Sequence, residues 1–260
     1  MKKDTIAVLG CGPAGLLVAH AVAQAGFTPV IYSKPAPSRI GGAQFLHTAI
    51  PGITEEAPDG QVNFERVGTA EGYARKVYGT PNADTSWGTY PDGLHDIWNM
   101  REAYDNLWAL YEDCILSSEL SEHAAVALTQ QYRAVASTVP LFVICANAKH
   151  SFSVQSVGIV YGELEGAARL ENHILYNGDT HDHWYRRSVL FGWYGTEFVS
   201  YKAPPQAVQV SKPISTNCDC LPQIRRFGRY GQWRKKVLIH DAYWEATEWA
   251  GALAAGDVRA

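Results

Sequence analysis

Residues 6–15 read Ile6-Ala7-Val8-Leu9-Gly10-Cys11-Gly12-Pro13-Ala14-Gly15, an apolar run that breaks into G-x-G-x-x-G. The run leads into Leu16-Leu17-Val18-Ala19-His20-Ala21-Val22-Ala23, a good helix former. A buried parallel strand reads as a continuous apolar run. Gly10 then permits a tight turn, Gly12 lets backbone approach a pyrophosphate, and Gly15 lets helix and strand pack closely. Pro13 and Ala14 lie between the second and third glycines, ahead of the helix, whose N-terminus offers N–H groups and a positive dipole end to phosphates. Gly26 ends the helix and Thr28-Pro29-Val30-Ile31-Tyr32 supplies a second strand. Glycines alone are weak evidence; strand, glycine turn, helix and strand in one short unit predict a dinucleotide site.

The rest of the chain sets limits. Its 260 residues suit one large domain or two small ones. Hydrophobic residues make up 47% and charged residues 18%, the profile of a globular protein with a sizeable core. A net charge of −4 gives no reason to expect general nucleic-acid affinity. Five scattered Cys, one of them inside the glycine turn, fit a reducing cytoplasm better than a disulfide scaffold. Met1-Lys2-Lys3 before an apolar run could mimic a signal peptide, but Gly10, Gly12 and Pro13 interrupt it. No other stretch is long and apolar enough to span a bilayer, so no membrane partner is expected.

Helical spacing of Ile97, Met100, Tyr104, Leu107, Trp108 and Tyr111 predicts a helix over Leu94 to Leu116, with another over Glu119 to Gln130. Tyr132 to Pro140 reads as a strand. Antiparallel strands are predicted over Ser156 to Tyr161, His173 to Tyr176, Ser188 to Trp193 and Glu197 to Tyr201. Val237 to Ile239 reads as a short strand before a final helix from Ala242 to Leu253. The predicted fold is α/β: a Rossmann-type parallel nucleotide-binding sheet closed by the C-terminal segment. Residues 1–50, 132–150 and 221–260 build that domain. Residues 51–131 and 151–220 form an inserted substrate region of helices and antiparallel strands.

Four patches together resemble flavoproteins of the glutathione-reductase type, with UDP-galactopyranose mutase and the amine oxidases most alike. They are Gly10 to Gly15, Arg39-Ile40-Gly41-Gly42, Val135 to Pro140, and Gly228-Arg229-Tyr230-Gly231 followed by His240-Asp241-Ala242-Tyr243. The second resembles the R-x-G-G signature, and the fourth resembles the G-R-x-G segment and terminal helix that close over the flavin in the mutases. Short phage and actinobacterial FAD-dependent oxidoreductases look similar, including Gly42-Ala43-Gln44-Phe45-Leu46-His47. The resemblance implies FAD, and a reaction that oxidises a C–N or C–O bond of a small or nucleotide-linked substrate, amines first. Its alternatives are a redox-neutral mutase-like enzyme, an NADP(H)-dependent reductase and a non-catalytic nucleotide-binding module.

One departure concerns the second strand. The acidic residue that usually ends it is replaced by Ser33, followed by Lys34, and the gap to Gly41-Gly42 is longer than the class pattern. A Ser-Lys pair with Arg39 nearby would suit the 2′-phosphate of NADP. FAD is the favoured cofactor, because the segments at Gly41-Gly42 and Gly228 to Gly231 have no use in a simple NADP domain.

Catalytic candidates are few, since a flavin carries the redox chemistry. His47 follows the double glycine and is either a proton relay or a loop histidine with a structural hydrogen bond. Arg186 could hold a substrate anion in a bidentate fork. Arg229 matches an arginine beside the flavin in the mutases. Asp241 and Ala242 belong to the segment that resembles the one closing over the flavin in the mutases. The rest of the basic run that holds Arg229, namely Arg225, Arg226, Arg234, Lys235 and Lys236, could guide DNA, but solvated surface is the favoured reading. No metal site is expected: His181-x-His183 and Cys218-x-Cys220 lack a second pair of familiar spacing, and Cys145 reads as a small buried hydrophobe.

Overall fold

The structure is a computed structural model that describes residues 2–34, 40, 43–79, 91–163 and 172–256. Arg39, Gly41 and Gly42 lie outside the described residues. In chain order the first elements are β1 (Lys2–Leu9), α1 (Pro13–Gln24), β2 (Thr28–Ser33), β3 (Gly60–Gly68), α2 (Ala70–Tyr78) and β4 (Gly93–Ile97). Then come α3 (Met100–Tyr111), β5 (Ile115–Ser117), α4 (Glu122–Thr129), β6 (Tyr132–Ser137), β7 (Phe152–Glu163) and β8 (Asn172–Gly178). The chain continues through β9 (Trp184–Leu190), β10 (Trp193–Val199), β11 (Val208–Thr216), β12 (Ile224–Arg226), α5 (Gly228–Gln232) and α6 (Asp241–Ala254).

The chain divides into two units. The first comprises Met1–Arg39, Glu102–Ser153 and Pro213–Ala260; the second comprises Ile40–Arg101 and Val154–Lys212. Residues 102–131, expected in the inserted region, group by their contacts with β1, α1 and β2.

The first unit holds a five-stranded sheet in the order β12-β6-β1-β2-β5, and every pairing in it is parallel. β1 lies in the middle, flanked by β6 and β2. Ile6, Ala7, Val8 and Leu9 are accordingly fully buried, which is why the strand is apolar without alternation. α1 is buried over Gly15 to Val22 and packs against α6. His20 joins the two: its ring stacks on Tyr243, and its Nδ1 lies 2.9 Å from the Tyr111 hydroxyl. The Tyr243 hydroxyl donates to Gln24 Oε1 at 2.6 Å.

The second unit carries a seven-stranded sheet in the order β11-β7-β10-β9-β8-β3-β4. Its core gathers Phe45, Phe64, Tyr73, Tyr176 and Tyr185, so these mid-chain aromatics fill an interior. α2 is capped by Thr69, whose side chain accepts the Gly72 N–H, and ends at left-handed Gly79.

Three predicted elements differ. Leu94 to Ile97 is a strand, β4, paired antiparallel with β3. Its burial alternates, with Leu94 65% exposed and Ile97 buried, and the helix starts only at Met100. The strand predicted over Ser188 to Trp193 is cut by a two-residue hairpin at Phe191-Gly192, where φ is 49° and 82°. Leu190 and Trp193 pair across it, the geometry that suits the twist of adjacent strands. Val237 to Ile239 is irregular, and the Leu238 N–H donates to Asp241 Oδ2 at 2.7 Å.

Candidate nucleotide and cofactor site

β1 ends under the first turn of α1. The Gly10 N–H donates to the Tyr32 carbonyl at 2.9 Å, and the Thr138 N–H to the Leu9 carbonyl at 2.9 Å. Three strands thus meet at the glycine turn. Gly10 sits at φ +102°, and a Cβ there would come within 2.8 Å of Thr138 Oγ1. A Cβ on Gly15 would stand 2.0 Å from the Gly10 carbonyl oxygen, so only glycine lets the helix follow the strand this closely. Gly12 is the N-cap, Pro13 opens the helix, no side chain caps it and its first turn holds no acid. Those N–H groups have no intrahelical acceptor.

The C-terminal segment reaches the same place. A Cβ on Gly228 would lie 2.9 Å from the Ala14 Cβ, and one on Gly231 would lie 2.6 Å from the Ser137 carbonyl. The Phe227 N–H donates to that carbonyl at 2.9 Å. G-R-Y-G is therefore seated against the first turn of α1 and the end of β6. Ala242 is fully buried, and its Cβ would lie 4.0 Å from a Cβ on Gly228, behind the turn held by Asp241.

Arg229 uses Nε and Nη2 to grip the Pro213 carbonyl, at 3.2 and 2.9 Å. Arg226 donates to the carbonyls of Cys218 and Cys220, and Arg234 faces Glu245 at 3.5 Å. Part of the basic run thus holds its own chain. Ser33 closes β2 beside Ser117 of β5, half-buried, and Lys34 is exposed.

In the second unit, Ala43 is half-buried, Gln44 exposed, and His47 stacks on Phe45 with ring centroids 4.4 Å apart. Leu46 bridges to Trp98 through two backbone hydrogen bonds of 3.0 Å. Arg186 faces Glu197 directly across β9 and β10 and donates to its Oε1 through Nε and Nη2. Glu197 Oε2 accepts from Lys212 Nζ at 2.5 Å and from the Tyr185 hydroxyl at 2.7 Å. The Glu197 side chain is 3% exposed. Burial alone would raise its pKa, but the Arg186 and Lys212 charges outweigh burial and hold the carboxyl well below the usual range. Burial and the Glu197 charge together push the Tyr185 hydroxyl well up. Arg186 is thereby committed to a buried carboxylate. Sequence reading placed Arg186 and Glu197 on strands but gave Glu197 no role and missed Lys212; opposite charges in cross-strand register were the available signal.

No protein-family model matches this chain, and no curated protein matches it. Solved structures do. Reduced UDP-galactopyranose mutase aligns with a TM-score of 0.59 over 98% of this chain and 94% of that one, at 12% identity. The tetrameric form of 2-methyl-3-hydroxypyridine-5-carboxylic acid oxygenase aligns at 0.55, over 98% and 82%, at 12% identity. CtdE in complex with FAD aligns at 0.54, over 98% and 84%, at 10% identity. This chain has the fold that these proteins share. Sequence identity is too low for the likeness to carry more than the fold. Among the described residues no helix is long and apolar enough to cross a membrane.

Proposed function

We propose that the protein is an FAD-dependent oxidoreductase that oxidises a C–N or C–O bond of a small or nucleotide-linked substrate, amines being the first class to try. The observation that supports the reading is the closeness of Gly228 to Ala14, where an added Cβ would stand 2.9 Å away, since it brings the C-terminal G-R-Y-G segment to the glycine turn that opens α1. The residues fit a dinucleotide: α1 begins without a side-chain cap or an acid, and Gly10 and Gly15 let strand, turn and helix pack where a Cβ would strike Thr138 or the Gly10 carbonyl. Gly12, Pro13 and Ala14 would hold the pyrophosphate, and Ser33 with Lys34 the ribose end. Arg39, Gly41, Gly42, Ala43, Gln44, Gly228, Gly231, Asp241 and Ala242 would complete the binding surface. When bound, FAD would supply a hydride acceptor, with reoxidation by oxygen or another acceptor. In this reading Arg229 orients the segment beside the ring through Pro213, and His47 relays the substrate proton.

The mutase-like alternative draws on the likeness to UDP-galactopyranose mutase. It predicts activity only after reduction, with no net oxidation. The test is a visible absorption spectrum of the purified protein with mass identification of whatever is released on denaturation. Released FAD is the expected result. A colourless protein that fails to take up FAD but binds NADPH would overturn the proposal in favour of Ser33 and Lys34 as an NADP signature.

A further inference from the structure

The connection that leaves β6 and the connection that enters β12 bring four ligand-type side chains together. Cys145, His150, Cys218 and Cys220 each offer one atom, and these atoms all lie within 4.8 Å of one another. Cys145 Sγ is 3.8 Å from Cys220 Sγ. His150 Nδ1 is 3.3 Å from Cys145 Sγ and 3.5 Å from Cys220 Sγ. A tetrahedral zinc with Zn–S near 2.3 Å and Zn–N near 2.0 Å demands sulfur–sulfur edges of about 3.8 Å and sulfur–nitrogen edges of about 3.5 Å. The three edges match that figure. Directly bonded sulfurs would stand about 2.05 Å apart, and all five cysteines are free thiols.

We infer that Cys145, His150, Cys218 and Cys220 form a structural Cys3His zinc site. Three thiolates and one imidazole close the coordination sphere, which leaves no open position for substrate and separates this site from any catalytic role. The surroundings are built for it. His150 Nε2, the nitrogen turned from the sulfurs, lies 3.6 Å from the Asp219 carboxylate and 3.1 Å from Asn147 Nδ2, and an outer carboxylate commonly orients a ligating histidine. Three thiolates on a divalent ion leave a net charge of −1, and the Arg226 guanidinium sits on the carbonyls of Cys218 and Cys220. Both loops are stitched together independently. Thr216 Oγ1 donates to the Ser151 carbonyl at 2.7 Å, and the Ser151 N–H donates to Asn217 Oδ1 at 2.8 Å. The ion would fasten segments 75 residues apart in sequence, just ahead of the strand that leads to Gly228.

Sequence spacing hid the set. Cys218-x-Cys220 reads naturally beside His181-x-His183, but the structure gives the cysteines other companions. The inference does not depend on the flavin.

The experiment is elemental analysis of tag-free protein purified under reducing conditions, with thiols counted in denaturant plus chelator. The expected result is one zinc per chain and five titratable thiols. Cys145→Ser and His150→Ala should each lose the stoichiometric zinc and lower the melting temperature, while Cys114→Ser, outside the cluster, should keep both. Cobalt exchange into the wild-type protein should give the ligand-field and thiolate charge-transfer bands of a tetrahedral site. Three thiols in place of five would mean a disulfide and overturn the inference. So would wild-type protein that holds no stoichiometric zinc and gives no tetrahedral cobalt spectrum.

Discussion

Replacing Glu197 by Gln should destabilise the second unit more than any other single isosteric change to its polar groups. The carboxylate accepts from Arg186, Lys212 and Tyr185 while 3% exposed. An amide keeps the volume but removes the charge and turns an NH2 donor toward Arg186 or toward Lys212, cations that can only donate. Removing one partner of a buried pair costs about 3–5 kcal/mol, because the other charge stays behind. Arg186 and Lys212 keep 22% and 17% of their side-chain exposure, so water softens the loss toward the low end, about 3 kcal/mol. At roughly 2–4 °C per kcal/mol, the transition should fall by roughly 6–12 °C. The pH dependence has a definite sign. The folded carboxyl titrates below its unfolded value, so its contribution is complete above about pH 4.3 and is lost as pH falls through the depressed folded value. The gap between wild type and variant should be flat near neutrality and narrow in acid. Calorimetry of both proteins from neutral pH to below about pH 4 makes the comparison. A loss under about 1 kcal/mol, or a gap that persists in acid, would show that the three donors do not depend on the charge.

Other outcomes follow from the first unit. Gly15→Ala places a Cβ 2.0 Å from the Gly10 carbonyl and should abolish nucleotide binding, with a stability loss of about 1–3 kcal/mol; normal binding of added FAD or NADPH would sink the close-packing argument. Gly228→Ala forces a Cβ into φ +67° and against Ala14; the expected effect is weakened FAD affinity by titration, and an unchanged affinity would detach G-R-Y-G from the cofactor. Tyr243→Phe removes the hydrogen bond to Gln24 and should cost about 1 kcal/mol in urea unfolding while leaving FAD content intact. Arg229→Ala should retain FAD and lose turnover at least about tenfold, equivalent to about 1.4 kcal/mol of barrier; full turnover would remove Arg229 from the site.

What could be read from the chain was local. The β1–turn–α1–β2 unit is contiguous, and each glycine's role follows from the bond geometry of that one turn. β6 was legible from the short run Ala134-Val135-Ala136, and α6 from the helical spacing of the buried Ala242, Ala246, Trp249 and Leu253. β4 was not: Ile97 satisfies helical spacing with Met100 and Tyr104, and only pairing with β3 selects the strand. The Phe191-Gly192 hairpin carries half of a turn signature, since phenylalanine does not advertise a positive φ. Arg186 was visible as a charge, but its meaning lay in Glu197, eleven residues away on the next strand, and in Lys212. The cysteines were visible one by one; the distance between Cys145 and Cys220 is a tertiary fact.

The contact between Gly228 and Ala14 has a consequence for biosynthesis. A ribosome releases the glycine turn well before the residues that back it, because Gly228 and Gly231 follow it far along the chain. Until β12 aligns beside β6, the nascent chain has the glycine turn without the segment that packs against it. If the proposed function holds, cofactor capture waits for that segment, closer to sealing a folded unit than to nucleating one. Proteolysis or premature termination ahead of Ile224 should yield fragments that retain the fingerprint sequence yet fail to hold the nucleotide.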